Sequence, residues 1–176
     1  MRPTLFTIDR PGPGRLSTMA RPRGGDWLAE ELAALAALGV SGLVSALTPA
    51  ESAELGLAAE ASLARAAGLR FTAVPVPDRT VPVLSEVLPV VDELARRLAA
   101  GDHLVVHCRA GIGRSSLLAA AVLVRSGADP NDTWDRIARA RGLAVPDTPE
   151  QRAWTDRMPR RPQQDAHSGT PIAEGR

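Results

Sequence analysis

The chain has 176 residues, one cysteine, 21 basic and 20 acidic residues, and a net charge of +1. This length suits a single domain with a full core, and the near-neutral charge leaves no electrostatic footprint for nucleic acid or for a membrane surface. One cysteine excludes an internal disulfide framework and fits a reducing compartment. No apolar run reaches the roughly eighteen residues of a membrane span, and the N-terminus lacks a signal-peptide pattern. We therefore expect a cytoplasmic monomer without nucleic-acid or membrane partners.

The first half of the chain is predicted to alternate between strands and helices. Residues 5–8 form a short apolar run, and a loop rich in proline and glycine follows at 11–25. Asp26 can cap a helix whose apolar residues begin at Trp27 and which ends at Gly39. After it, the pattern predicts a strand at 40–47, an alanine-rich helix at 49–67 and a strand at 71–76.

The second half continues this alternation. The pattern predicts a helix at 84–100, a strand that ends at His107, and helices at 115–125, 131–141 and 149–158. The helix at 115–125 is apolar nearly all round and is therefore predicted to lie buried at the centre. Strands that alternate with helices indicate an α/β fold with a mostly parallel sheet flanked by helices. Residues 1–158 are predicted to form one domain, and the polar segment 159–176 is predicted to be disordered.

Helical spacing also predicts the environment of the three tryptophans. Trp27, Trp134 and Trp154 each fall within a predicted helix, among apolar residues at the spacing of one helix face. We therefore expect them to pack against the core rather than to form a binding site.

The loop between the strand ending at His107 and the central helix has the composition of an anion site. Glycines allow its backbone to curl around an oxyanion, and a helix N-terminus with several backbone N–H groups would face the same point. Arg114 can offer a planar fork to two phosphate oxygens. Cys108 lies where the helix end and this arginine favour the thiolate. The predicted phosphate-binding residues are Arg109, Ala110, Gly111, Ile112, Gly113 and Arg114.

Two neighbours complete the predicted loop. The Ser115 hydroxyl can reach back toward the sulfur of Cys108 or cap the helix, and the His107 imidazole can organise the loop backbone. A lone buried cysteine is usually an inert apolar residue, and a lone histidine at a strand end is usually structural. The combined spacing of these residues with the glycines and the arginine favours a functional site.

The sequence His107-Cys108-x5-Arg114-Ser115 resembles the signature of the cysteine-dependent protein phosphatases, and the Ala110-Gly111 pair resembles their dual-specificity branch. The resemblance implies a metal-independent and cofactor-independent reaction. In that family the cysteine attacks phosphorus and forms a phosphocysteine, and an aspartate on a separate loop protonates the departing oxygen. Asp78 follows a predicted strand and precedes Cys108 by thirty residues (108 − 78), a spacing similar to that of the family.

Asp78 and a later glutamine each have a simpler alternative. Pro77-Asp78 is also an ordinary turn signal. The rival candidate for the acid, Asp102, is predicted at the opposite end of the strand, about 20 Å from the sulfur at roughly 3.3 Å per residue, so Asp78 is the better candidate. Thr148-x-x-Gln151 resembles the family's segment that positions the hydrolytic water. The same residues also form a helix start with a capping box, and the two interpretations are compatible.

The substrate is predicted less directly than the reaction. Arg21 and Arg23 form a small basic loop that either is simply solvated or contacts the substrate, and Arg79 and Arg109 would flank the cleft. The resemblance implies a protein-tyrosine or dual-specificity phosphatase acting on phosphorylated protein. A phosphoinositide or inositol-phosphate phosphatase is the main alternative, although such enzymes often carry lysines in the loop and this chain has none. A non-catalytic phosphate-binding module is a third.

Two other cysteine chemistries fit the sequence less well. A sulfurtransferase also places a cysteine in a loop with an arginine, but it does not require Asp78. A thiol-linked arsenate reductase usually relies on further cysteines, and this chain contains only one.

Overall fold

A computed structural model describes residues 3–159, which form a five-stranded sheet with helices on both faces. The strands are β1 (Phe6–Thr7), β2 (Arg15–Ala20), β3 (Gly42–Ser45), β4 (Arg70–Ala73) and β5 (His103–Cys108). The α-helices are α1 (Leu28–Ala37), α2 (Pro49–Glu54), α3 (Glu60–Ala66), α4 (Leu84–Ala99), α5 (Arg114–Arg125), α6 (Pro130–Arg141) and α7 (Pro149–Trp154). The strand order is β1-β2-β5-β3-β4, and only β1 is antiparallel to its neighbour. The predicted α/β fold with a mostly parallel sheet is confirmed.

Each face of the sheet is covered by its own hydrophobic cluster. On one face, α5 packs against β5 and is surrounded by α4, α6 and α7. On the other face, α1 and α3 pack together over Leu43 and Val105. The residues of β5 alternate between the two clusters, with Val106 in the first and Val105 in the second. Because β5 pairs with both β2 and β3, the strand that leads into the loop lies at the centre of the sheet.

The prediction of a loop over residues 11–25 was wrong in part, because strand β2 occupies Arg15–Ala20. Its sequence mixes apolar and hydroxyl side chains and directly follows a run of proline and glycine, so it lacks a strand-like apolar pattern. The hydroxyl of Ser17 is nevertheless hydrogen-bonded inside the fold. Ser17 Oγ lies 2.9 Å from Thr7 Oγ1 and 3.0 Å from His103 Nε2. Hydrogen bonding to two neighbouring strands therefore allows Ser17 to be buried between the core residues Leu16 and Met19.

The single helix predicted at 49–67 was also wrong, because α2 and α3 are separate helices. Gly56 lies between them in the left-handed region at φ 71°, a conformation that ends helices and that glycine adopts without a Cβ penalty. Leu57 is buried there in the second hydrophobic cluster. Alanine-rich composition alone does not show this interruption.

The tryptophans divide into two groups. Trp134 and Trp154 are buried as predicted, and Trp134 Nε1 donates to Thr155 Oγ1 at 3.0 Å. The prediction for Trp27 was wrong, because its side chain is 54% exposed and lies beneath the Arg23 guanidinium, 4.6 Å from its Cζ to the ring centroid. A cation–π contact at the start of α1 thus takes the place of core packing.

The predicted boundary between domain and tail stays a prediction. The segment 159–176, which we expect to be disordered, lies outside the described residues apart from Pro159. Within residues 3–159, no helix is both long and apolar enough to cross a bilayer.

Candidate active site

The loop predicted to bind phosphate joins the central strand β5 to helix α5. The side chains of α5 are buried from Arg114 to Val124, so the N-terminus of the helix points into the site from within the core. Parallel sheets bind ligands at the carboxyl ends of their strands, where loops and helix N-termini meet. The loop from Arg109 to Gly113 lies at this edge of the sheet.

The Cys108 thiol lies at the base of this loop and is contacted by the groups that the sequence predicts. The residue is only 3% exposed. Its Sγ accepts a hydrogen bond from the backbone N–H of Gly111 at 3.3 Å and lies 3.4 Å from Ser115 Oγ. Gly111 adopts φ 71°, and a Cβ there would stand 2.5 Å from the Met19 carbonyl carbon. Only glycine fits this position, because the loop folds tightly against the end of β2.

Arg114 is held in a fixed orientation by a carboxylate that sequence reasoning missed. Its guanidinium is 2% exposed and forms a bidentate pair with Glu51, with Nη1–Oε2 at 2.7 Å and Nη2–Oε1 at 2.9 Å. Nη1 also donates to the Val76 carbonyl at 2.9 Å. Burial alone would lower the pKa of Arg114, but the hydrogen bonds and charge of Glu51 outweigh burial and raise it. The hydrogen bond from Arg114 is the main reason that the pKa of Glu51 falls to about 2.

A sequence signal for Glu51 exists in hindsight. Thr48 and Glu51 form a capping box at the start of α2: the Glu51 N–H donates to Thr48 Oγ1, and the Thr48 N–H donates to Glu51 Oε2 at 3.0 Å. The Thr-Pro-Ala-Glu pattern is readable as such a box. It follows β3, whose carboxyl end lies beside that of β5, so the capping glutamate lies at the edge that holds the loop.

Asp78 lies on the turn after β4 and faces Arg114. Its Oδ1 is 3.3 Å from Arg114 Nη2, and its side chain is 66% exposed. The N–H of Thr80 donates to the Pro77 carbonyl, and Arg79 adopts φ 59°, the pattern of a type II turn. A left-handed conformation is unusual for arginine and often marks a functional segment.

Helix α7 holds the Asp78 turn in place through two side chains one helical turn apart. Gln151 Nε2 donates to the Thr80 carbonyl at 3.2 Å, and Trp154 Nε1 donates to the Pro82 carbonyl at 3.0 Å. Gln151 is fully buried, and its Oε1 has no hydrogen-bond partner. A Cβ on Gly113 would lie 3.1 Å from this oxygen, so the free acceptor lies against the loop. Gln151 therefore links the Asp78 turn to the loop.

Asp147 is a second carboxylate at the site that sequence reasoning did not select. A Cβ built on Gly113 would lie 2.0 Å from Asp147 Oδ2, so the carboxylate covers the last turn of the loop. A pocket of about 200 Å³ opens above the thiol. It is lined by Asp78, Arg79, Cys108, Arg109, Ala110, Gly113, Arg114 and Asp147.

The other predicted site residues are only partly brought to this pocket. Arg79 and Arg109 line it, although the Arg109 guanidinium turns onto α2 and lies 3.1 Å from Glu54. The backbone N–H of Arg21 donates to the Arg109 carbonyl at 3.3 Å, while its guanidinium donates to the Pro22 carbonyl. Arg23 does not line the pocket, because its guanidinium lies on Trp27 and 2.8 Å from Glu31. Ile112 is half-buried and packs against the core.

The structure does not place the His107 imidazole at the loop, so the expected loop-organising contact was wrong. His107 points to the opposite face of the sheet from Cys108, because neighbouring strand residues alternate. Its ring is fully buried, with Nε2 2.9 Å from Glu60 Oε1 in a geometry that forms no hydrogen bond. Among residues 3–159, no cluster of three or more His, Cys, Asp or Glu side chains could hold a metal ion.

A comparison with protein-family models identifies the family. Residues 17–128 match the model described as "Polymorphic toxin system, DSP-PTPase phosphatase". The chain belongs to this family. The match runs from β2 to beyond α5 and includes Asp78, Cys108 and Arg114. The resemblance to the cysteine-dependent phosphatases is thereby confirmed, and the chain is a phosphatase of the dual-specificity and protein-tyrosine phosphatase type. No curated protein matches the sequence significantly.

Solved structures of phosphatases share the fold of this phosphatase. A kinase-associated phosphatase with its catalytic cysteine replaced by serine is 18% identical, with a TM-score of 0.77 over 88% of this chain and 93% of its own. Tk-PTP in its active form is 24% identical, with a TM-score of 0.70 over 90% and 97%. PTPMT1 in complex with PI(5)P is 22% identical, with a TM-score of 0.65 over 80% and 86%. At these identities the likeness establishes the fold.

Proposed function

We propose that this phosphatase hydrolyses phosphomonoesters on proteins through a phosphocysteine intermediate, as a protein-tyrosine or dual-specificity phosphatase. The observation that carries the proposal is the placement of the Cys108 thiol at the base of a pocket of about 200 Å³, between a loop N–H group and the Arg114 guanidinium at the start of a buried helix. Such a pocket fits one phosphoryl group and stabilises its charge. The reaction requires no metal ion or cofactor.

In the first step, Cys108 Sγ forms a bond to phosphorus while the bond to the substrate oxygen breaks. Arg114 and the loop N–H groups from Arg109 to Arg114 bind the equatorial oxygens. The phosphate competes with Asp78 for Arg114 Nη2, from which Asp78 Oδ1 is 3.3 Å away. The exposed Asp78 carboxyl group then donates its proton to the leaving oxygen. Ser115 supplies a hydroxyl beside the sulfur, which stabilises it as a leaving group in the second step.

In the second step, water attacks the phosphorus, the S–P bond breaks and the thiolate returns. Asp78 now accepts the proton of the water and so acts as the general base. The unpartnered Oε1 of Gln151 is buried against Gly113 and Gln151 does not line the pocket, so Gln151 acts on this step by holding the Asp78 turn through the Thr80 carbonyl. Asp147 lines the pocket and offers a further acceptor for the water.

The charge around the pocket favours a phosphorylated protein over a polyphosphorylated headgroup. Arg109 is paired with Glu54, and the carboxylates of Asp78 and Asp147 also lie at the rim, where Arg79 remains as a further cation. A headgroup that carries several phosphates needs an excess of positive charge. The fold likeness to PTPMT1, solved with PI(5)P, keeps phosphoinositides as the second candidate. We further propose that the enzyme acts as a cytoplasmic monomer, since its single thiol suits a reducing compartment.

Phosphate release from three substrates tests the proposal: a phosphotyrosine peptide, a phosphothreonine peptide and a phosphoinositide, with Cys108→Ser as the blank. We expect cysteine-dependent turnover of the peptides, and the ratio of the two peptide rates defines the specificity. Turnover of the lipid alone would retain the reaction and overturn the substrate class. If none of the three substrates is turned over, a phosphate-binding module is favoured. If Cys108→Ser turns over the substrates as fast as the wild type, Cys108 is not the nucleophile.

A further inference from the structure

Three successive carbonyl groups of the loop are hydrogen-bonded from outside the pocket. The backbone N–H of Arg21 donates to the Arg109 carbonyl at 3.3 Å. The Arg141 guanidinium donates to the next two, from Nη2 to the Ala110 carbonyl at 3.1 Å and from Nε to the Gly111 carbonyl at 2.8 Å. In a trans peptide the C=O and N–H groups point in opposite directions. Carbonyls held outward therefore direct the N–H groups of the following residues inward.

Arg141 itself is held on two sides. It is the last residue of α6, and Gly142 follows it in the left-handed conformation at φ 73°. The face of its guanidinium lies on the ring of Phe6, with 4.0 Å from Cζ to the ring centroid. Phe6 lies on β1 and is paired with Thr18 of β2. A guanidinium stacked on an aromatic ring keeps its planar fork free to bond in its own plane, and here that fork meets two loop carbonyls.

One peptide group connects Arg141 directly to the reactive sulfur. The peptide between Ala110 and Gly111 accepts from Arg141 Nη2 through its oxygen and donates through its N–H to Cys108 Sγ at 3.3 Å. A cation bonded to the carbonyl polarises the peptide and strengthens the hydrogen bond that its N–H makes. Arg141 thus stabilises the thiolate electrostatically through one peptide dipole, without contact between Arg141 and the substrate.

We propose that Arg141 is a positioning residue of the catalytic loop: it fixes the Ala110–Gly111 and Gly111–Ile112 peptides with their N–H groups turned into the pocket, and it stabilises the Cys108 thiolate through the first of them. This assigns to α6 the organising role that the sequence had suggested for His107, whose imidazole lies beside Glu60 on the other face of the sheet. The inference rests on the proposed role of Cys108 as nucleophile.

The test measures the rate of Cys108 alkylation by iodoacetamide as a function of pH. Cys108 is the sole cysteine, so alkylation reports on this thiol alone. In Arg141→Ala we expect the midpoint of the profile to move upward by about one pH unit. The kcat/KM for an aryl phosphate should fall about tenfold, less than the loss of a donor that touches the transition state. The matched control is Arg139→Ala, an exposed arginine in the same helical turn, which should keep the wild-type profile.

Two further variants separate positioning from folding. Arg141→Lys keeps the charge but loses the planar fork, so its midpoint should lie between those of wild type and Arg141→Ala. Phe6→Leu removes the ring beneath the guanidinium and should move the midpoint in the same direction by a smaller amount. This variant tests the inference independently of whether Arg141→Ala folds. A wild-type midpoint in all folded Arg141 and Phe6 variants would overturn the inference.

The assay also distinguishes this inference from the proposed function, because alkylation requires no substrate. If none of the three substrates is turned over, but the midpoint still moves in Arg141→Ala, the proposed reaction fails and the positioning role stands. If the substrates are turned over normally and the midpoint does not move, the reaction stands and the positioning role fails.

Discussion

Two buried arginines pair with carboxylates at opposite ends of the central strand. At the carboxyl end Arg114 lies 2.7 Å from Glu51, and at the amino end Arg97 Nε lies 2.7 Å from Asp102 Oδ2. The two arginines are 2% and 8% exposed. The hydrogen bond from Arg114 lowers the pKa of Glu51 to about 2. Burial alone would raise the pKa of Asp102, but the hydrogen bond and charge of Arg97 lower it. The same pair of chemical groups thus occurs at both ends of strand β5.

The backbone around each pair gives it a different use. At the amino end the chain arrives from the C-terminus of α4, where Arg97 is in the last turn and carbonyl groups supply partial negative charge. At the carboxyl end the chain enters α5 through its N-terminus, where Arg114 adds to partial positive charge and a thiol lies beside it. An arginine neutralises a helix end in the first case and creates an anion site in the second. The direction of the neighbouring helix decides between the two.

The largest difference in activity between the two ends is expected when each arginine is replaced by lysine. In Arg114→Lys, kcat/KM should fall about 10³-fold, because an ammonium group cannot bond two equatorial oxygens as a fork. In Arg97→Lys, kcat/KM should change less than about twofold, and the free energy of unfolding should fall by about 1 kcal/mol. Steady-state kinetics and urea unfolding of both variants check the comparison, which fails if the two variants lose activity equally.

The carboxylates should differ in their dependence on the leaving group. In Asp78→Asn, kcat should fall about 10²-fold for an alkyl phosphate, whose leaving oxygen needs a proton, and much less for an activated aryl phosphate. Asp102→Asn should affect both substrates alike, since Asp102 lies at the far end of β5. Rates measured over a series of leaving groups test this. Equal losses across the series in Asp78→Asn would argue against its role as the acid.

The two ends should lose stability in separate pH ranges. Burial and then the charge of Arg15 lower the pKa of His103, at the amino end, to about 4. The unfolded histidine titrates near 6.5, so the unfolded chain takes up a proton first as the pH falls from about 6.5 to about 4. Over this range the free energy of unfolding should therefore fall by about 2 kcal/mol. Glu51, at the carboxyl end, is charged in both states above about pH 5, and its contribution is lost only as the pH falls toward 2.

Urea unfolding at pH 7, 5 and 4 measures the first of these losses. His103→Gln should reduce the fall in stability between pH 7 and 5, and Glu51→Gln should leave that slope unchanged while it destabilises the protein at pH 7. A slope that persists in His103→Gln would assign the loss to another group.

The smallest effect is expected from one added methyl group at each end. In Gly113→Ala the Cβ would lie 2.0 Å from Asp147 Oδ2 and 3.1 Å from Gln151 Oε1. The exposed Asp147 side chain can move away, so stability should be kept while kcat/KM falls about tenfold. In Gly42→Ala the Cβ would lie 2.4 Å from Arg97 Nη2 and 2.7 Å from Leu104 Cδ2. Both atoms are buried, so the variant should lose about 1–3 kcal/mol of stability and little activity.

Local sequence predicts some parts of the molecule much better than others. The strand–loop–helix unit around Cys108 is predicted well because all its parts lie within twenty-odd residues, and local geometry brings thiol, N–H groups and helix end together. Strand β2 escapes prediction because the hydroxyl of Ser17 is satisfied by partners on other strands. Trp27 escapes because its partner, Arg23, lies outside the helix.

The chain order of thiol, loop and arginine by itself indicated the phosphatase family, because the chemistry of that family requires these groups at close spacing in one segment. Only the tertiary structure decided which groups surround them. Glu51 is 63 residues from Arg114, and Arg141 is 30 residues from Gly111, yet both make bonds shorter than 3 Å there. Neither contact has a sequence period, since each depends on how separate helices end at one edge of the sheet. The reactive unit is local, and the groups that hold it in position are not.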